Sequence, residues 1–390
     1  MGRVNLIVLL GALSAMGPLT IDLNLPAFPA MAADFGASSA HIQLTLTACL
    51  AGLALGQAMG GPLSDRYGRR RPLLAGLAAY VLVSALCPLA GSVAWLVALR
   101  FAQGLAAAVG IVIARAIVRD THSGKDAVRA FSILVMVLGV APIVAPIVGA
   151  QLLRVTSWRG VFAVFVVYGL VAAAAVAKGL PSVPPPPQLQ PSGLGRTLGT
   201  FKSLLTDRTY ATYLAAVSLT MGAFFSYLSA SSFVLQKGFH LSAQEYSLAF
   251  AVNACGLLGT GQFNRYLAQR IPAWRLLRYG LTTTAVGAAT LLVAAISGVG
   301  LPCMLAGMFI IVCSVSMVIP NATALAMENY PHAAGSASAL LGVFQFLSGA
   351  IVAPIAGLGR DGTPLPMAIT AVTCGAGALA IVTKNQWEKV

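Results

Sequence analysis

Two ionisable residues fall inside otherwise apolar sequence. Asp22 closes a nearly uncharged run that starts at Val4, and it is the first of only ten acidic residues among 390. Arg100 lies within the run 94–117 and is followed by Gln103 and Gly104. A charge in the hydrocarbon region costs about 2.5–3.5 kcal/mol on insertion scales, so such residues are candidates for function. A buried carboxyl group can exchange a proton as its access to water changes, and a nearby guanidinium would tune that exchange. Gln103 stands one helical turn from Arg100 and could bond the same ligand. Asp22, Arg100 and Gln103 are therefore candidate proton-coupling and substrate-binding residues.

A second group of charges lies in "GPLSDRYGRRRP", Gly61 to Pro72. Glycines suit a tight turn between helices. Asp65 can pair with Arg66, Arg69, Arg70 or Arg71, and the charges can also meet neighbouring helix ends. A third group is apolar with polar points: Met221, Phe224, Phe225, Tyr227, Ser231, Asn253 and Gln345. Pockets for apolar ligands are lined in this way, and Tyr227 and Asn253 are the chosen candidates. Pro142 and Pro146 remove backbone donors and permit bending, which suits a gate. The four histidines sit at run ends and the six cysteines inside apolar runs, without metal-ligand spacing, so no metal is expected and the cysteines read as small buried hydrophobes.

Long apolar elements must position these residues. The chain is 58% hydrophobic and 9% charged, against about 25% charged residues in an ordinary soluble domain. A spanning helix needs about 20 apolar residues. Twelve such spans are predicted: 4–31, 43–63, 73–91, 94–117, 130–153, 160–178, 209–234, 243–264, 274–296, 301–323, 332–358 and 364–384. The first is read as a retained span rather than a cleaved leader. With twelve spans both termini share one side, which would carry 19 of the 24 Lys and Arg residues; four lie opposite and Arg100 lies within a span. That asymmetry predicts cytoplasmic termini. It also explains the net charge of +14 without nucleic acid.

The stretch 179–208 contains "LPSVPPPPQLQPSGLGR", which favours an extended linker. It divides a bundle at 1–178 from one at 209–390. "IVAPIVG" (143–149) in span five returns as "IVAPIAG" (351–357) in span eleven, and the turn after span two is echoed after span eight, with Asn264-Arg265 in place of Asp65-Arg66. Two such matches argue for duplication, and paired bundles joined by a linker suit alternating access. The expected fold is an all-α polytopic membrane protein of twelve transmembrane helices in two pseudo-symmetric six-helix bundles.

Position by position, "GPLSDRYGRRRP" matches the G-x-x-x-D-R-x-G-R-R-R signature of the major facilitator superfamily. "IDLNLPAFPAM" (21–31), "LRFAQGLAAAVG" (99–110) and "LGVAPIVAPIVGA" (138–150) resemble its drug:proton antiporters, most closely the bicyclomycin/chloramphenicol-resistance branch. Ala145 and Ala150 depart from the antiporter pattern, which has glycine there, and predict a wider helix approach. The resemblance implies that spans one and four line a central cavity. It also implies that Asp65, Arg69 and Asp120 form a cytoplasmic charge relay, with Gly61, Arg66 and Gly68 in the same latch. Asp22 and Arg100, at comparable depth, are expected to face each other.

The function expected on this basis is proton-coupled export of amphipathic antibiotics, with the proton gradient as energy source, no cofactor, and a monomer in the bacterial inner membrane. The alternative is proton-coupled or facilitated uptake of a small metabolite on the same fold. An enzyme would need catalytic groups clustered near one membrane face, and a channel would not need the two-half repeat.

Overall fold

The computed structural model describes residues 3–121, 124–180, 194–330, 334–358 and 362–387. Within a bilayer a chain must satisfy its own backbone hydrogen bonds, and here it does so as helices; among the described residues there is no strand. In chain order the helices are α1 (Arg3–Asp22), α2 (Phe28–Asp34), α3 (Ser39–Tyr67), α4 (Arg70–Leu86), α5 (Val93–Thr121), α6 (Gly124–Leu152) and α7 (Trp158–Gly179). Then follow α8 (Leu194–Thr206), α9 (Arg208–Phe233), α10 (Ala243–Leu267), α11 (Ala273–Ser297), α12 (Leu301–Met327), α13 (Ala334–Ala356) and α14 (Leu365–Trp387). Among the described residues ten spans are long and apolar enough to cross a membrane, the first of them running from Leu6 to Asp34 through α1 and α2. With α6 and α10 they make the twelve of the expected fold.

The first span is interrupted rather than smoothly bent. Pro26 has no N–H to give to the carbonyl of Asp22, and Pro29 none for that of Leu25. α1 therefore stops at Asp22, a 3-10 turn covers Leu25–Ala27, and α2 resumes at Phe28. Asp22 is the last residue of its helix.

The chain divides into two compact units. One holds Met1–Ala37 and Ala48–Gly195; the other holds Ser38–Thr47 and Arg196–Val390. The opening residues of α3 and the stretch from Arg196 thus group with the second unit. In the first unit α1 packs on α5, α6 and α7, and α4 packs on α5 and α7. A Cβ on Gly104 of α5 would lie 2.1 Å from the carbonyl oxygen of Cys49 on α3, so glycine is required for the helices to touch. An aromatic series, Trp158, Phe162, Phe165 and Tyr80, joins α7 to α4 edge to face. The second unit is built around α9, which packs on α12, α13 and α14, while α11 lies along α12.

Three expectations need correction. Residues 194–206, read as linker, form α8, whose Leu204 is fully buried in the core of the second unit beside Tyr210 and Leu277. The leucines and Phe201 recur at helical spacing there, a pattern masked by the prolines before it. Ala145 does not hold the helices apart: a Cβ on Gly149 would sit 2.2 Å from the Leu23 carbonyl, so α6 meets the end of α1 closely through that glycine. Cys255 is exposed on α10, whereas Cys49, Cys87, Cys313 and Cys374 are buried.

Candidate functional site

The geometry around Arg100 starts from helix phase. Arg100 and Gln103 are three residues apart on α5 and share a face. Arg100 is only 2% exposed. One Nη1 donates to Gln103 Oε1 at 2.5 Å and Nη2 donates to the backbone carbonyl of Thr20 at 2.9 Å. Gln103 Nε2 in turn donates to Ser84 Oγ on α4 at 2.7 Å. The Thr20 and Tyr80 hydroxyls lie 2.7 Å apart, and Thr20 also donates to the Met16 carbonyl. The guanidinium stands 5.9 Å from the centroid of Phe162 on α7. One arginine fork thereby ties α1, α4, α5 and α7, using planar donors that a lysine could not supply.

Asp22 is buried, with 5% exposure, but Arg100 is not its partner: among the described residues no ion pair joins them. The expected facing pair is corrected by helix phase. Thr20 presents its side chain toward α4, and two residues turn the helix by about 200°, so Asp22 points to a different side of α1. Arg100 instead fixes the backbone two residues before the carboxylate. Asn24, beyond the break, is fully buried, and neither its amide oxygen nor its amide nitrogen has a hydrogen-bond partner.

The turn between α3 and α4 holds a charge cluster. Arg69 Nη1 donates to Asp65 Oδ1 at 2.5 Å and to Ser64 Oγ at 2.7 Å, while Nε donates to Asp120 Oδ2 at 2.8 Å. Asp120 lies in the last turn of α5, so Arg69 staples the turn to that helix. Partial burial by itself would lower the Arg69 pKa; the hydrogen bonds and charges of Asp120 and Asp65 outweigh it and hold the guanidinium above its ordinary value. Arg70 Nη2 caps the Ala177 carbonyl near the end of α7 at 2.6 Å. Gly68 has φ +78°, a conformation that favours glycine. Arg66 lies 5.2 Å over the Tyr67 ring rather than on Asp65. Gly61 is not needed for close approach, because an added Cβ would meet only Val112 at 4.0 Å.

In the second unit Asn253 Nδ2 on α10 donates to the Tyr227 hydroxyl on α9 at 3.0 Å, both side chains being buried. Tyr227 stacks on Phe250 with centroids 6.0 Å apart, and the Tyr246 hydroxyl is 3.3 Å from Ser231 Oγ. Pro142 and Pro146 lie inside α6, where they free the carbonyls of Leu138 and Pro142.

The structure thus brings together Arg100 with Gln103, Asp65 with Arg69 and Asp120, and Tyr227 with Asn253. It does not bring Asp22 to Arg100 or Arg66 to Asp65. Sequence reading missed Thr20, Tyr80, Ser84 and Asn24. A buried amide in "IDLNLP" was the one available signal, since a polar residue within a span needs a partner.

Comparison with known proteins agrees with this architecture. The family profile of the Major Facilitator Superfamily matches residues 8–354. The chain is 38% identical to the uncharacterized MFS-type transporter YdgK of Bacillus subtilis, over 97% of this chain and 94% of that one. It is 29% identical to the bicyclomycin resistance protein homolog of Haemophilus influenzae (94% and 92% covered). It is 31% identical to a chloramphenicol resistance protein of Pseudomonas aeruginosa (90% and 82% covered). Its fold is similar to that of a solved D-xylose-proton symporter, with a TM-score of 0.74 at 16% identity over 96% of both chains. Two helical units, a turn stapled by Arg69 and a profile match over most of the length lead to one conclusion: this chain belongs to the major facilitator superfamily and is a membrane-spanning transporter, not an enzyme.

Proposed function

We propose that this chain exports amphipathic antibiotics of the phenicol or bicyclomycin kind in exchange for protons. The observation that carries the reading is the end of α1: a buried carboxyl group, Asp22, with no ion-pair partner among the described residues, beside an amide, Asn24, whose hydrogen-bonding atoms are unused. The names of two relatives, a bicyclomycin resistance protein homolog and a chloramphenicol resistance protein, support the drug class.

In this mechanism Asp22 takes a proton when the transporter opens outward and releases it when it opens inward, while the drug travels the other way. Proton and drug compete for the same place. Arg100 holds the Thr20 backbone and so positions the carboxyl group; Gln103 holds Arg100. Within the second unit Tyr227 and Asn253, a hydroxyl and an amide, are the candidate drug contacts. Arg69, with Asp65 and Asp120, latches one state, and the proline-bearing α6 flexes between states. The protein works as a monomer in the bacterial inner membrane with both termini cytoplasmic, and the proton gradient replaces any cofactor.

Cells with and without the protein, challenged with an antibiotic panel in the presence and absence of an uncoupler, test this reading. Lower drug accumulation that the uncoupler abolishes supports it. Unchanged accumulation of every drug, or a rise that points to uptake, sinks it.

A further inference from the structure

The turn between α10 and α11 is the second-unit counterpart of the stapled turn between α3 and α4, but it lacks that turn's carboxylate. In the first unit Asp65 and Asp120 neutralise Arg69. In the second, Asn264 stands where the aspartate would fall, and its amide oxygen accepts from Asn321 Nδ2 of α12 at 2.9 Å. A neutral amide pair has replaced the ion pair. The sequence from Tyr246 to Met327 contains no acidic residue at all, yet it carries Arg265, Arg270, Arg275 and Arg278. All four are exposed, and among the described residues none is in a salt bridge.

Aromatic rings accompany these charges. Phe263, Tyr266, Trp274 and Tyr279 are all about half exposed. Arg270 lies 4.9 Å over Tyr266 and Arg275 lies 5.0 Å over Trp274. Stacking occupies the face of a guanidinium and leaves its edge N–H donors available for a phosphate. Exposed aromatics at the ends of spanning helices are the pattern of a headgroup-level belt.

We infer that the α10–α11 turn is a binding site for the headgroup of an anionic phospholipid, held by Arg270, Arg275 and their neighbouring arginines between Tyr266 and Trp274. Charge complementarity selects the occupant: clustered arginines beside a span attract anionic lipid, and among the described residues none of these four is in a salt bridge. The rings, stacked on the guanidiniums, lie beside the headgroup. A basic turn that served only topology would not need the stacked rings or the exchange of Asp for Asn.

The test uses the full chain purified in a neutral detergent, titrated with phosphatidylglycerol or phosphatidylcholine, with bound lipid counted by native mass spectrometry. Wild type should retain phosphatidylglycerol in preference to phosphatidylcholine. Each arginine near the surface is worth about fivefold in affinity, so Arg275→Gln with Arg278→Gln should weaken phosphatidylglycerol binding about 30-fold. Lys202→Gln with Lys384→Gln, which removes two exposed charges elsewhere, should leave binding unchanged. Arg270→Gln alone should cost about fivefold and serves if the double variant is poorly folded. Equal retention by wild type and the arginine variants, an equal loss in the lysine control, or displacement by soluble glycerol phosphate at matched concentration would each overturn the assignment.

Discussion

Arg100→Lys separates charge from geometry at the centre of the first unit. Lysine keeps the positive charge but replaces the planar fork by a single ammonium group. In the wild type the fork serves two buried acceptors, Gln103 Oε1 and the Thr20 carbonyl. The ammonium cannot reach both in the same geometry, so one acceptor is left without a donor at a cost of about 1–3 kcal/mol. Thermal unfolding in detergent should therefore fall by several degrees, at about 2–4 °C per kcal/mol in chains of moderate size. Gln103→Leu removes one acceptor beforehand. In that background the same arginine substitution should cost less, with a coupling of about 0.5–3 kcal/mol. Transport should fall as well, because the Thr20 carbonyl lies two residues before Asp22. Unfolding of Arg100→Lys at the wild-type temperature, or an equal drop in both backgrounds, would refute the view that this fork ties α1 to α5.

Other perturbations follow from the same geometry. Gly68→Ala forces a side chain onto φ +78° and should lower stability by about 1–2 kcal/mol, whereas Gly61→Ala, with open space around it, should unfold within about 0.5 kcal/mol of wild type; thermal melts of the two variants decide this. Asp120→Asn removes one charge from Arg69 but keeps a hydrogen-bond acceptor, so it should alter transport rate more than stability, while Arg69→Ala should lower both. The stability difference should be about 1 kcal/mol or less for the aspartate change, because the cluster is partly exposed. Tyr227→Phe deletes the acceptor of Asn253 and should shift the pattern of drugs resisted without abolishing transport, as read from inhibitory concentrations across a panel.

Hydropathy made the architecture legible from the sequence, because a bilayer imposes one length on every span. Motif spacing put Asp65 within reach of Arg69, four residues on, whereas Asp120, 51 residues away, followed only from the family resemblance. What failed were phases and cross-helix contacts. Equal depth for Asp22 and Arg100 said nothing about which side of α1 each faces, and the two missing proline donors end the helix at the residue in question. Thr20, Tyr80 and Ser84 looked like ordinary span residues, because their importance lies in which helix they touch. α8 was hidden by the prolines before it, although its leucines carry helical spacing. Asn264 was visible as a departure from Asp65, but only its bond to Asn321 shows that the charge has been replaced by a neutral pair.

Drug-dependent proton movement in proteoliposomes tests the central claim most directly. Wild-type protein with an imposed pH gradient should move protons when a phenicol or another exported drug is added, and should accumulate drug against its gradient. Asp22→Asn should fold normally, bind drug, and lose both gradient-driven accumulation and drug-evoked proton flux. Full proton-driven accumulation by Asp22→Asn would contradict the account.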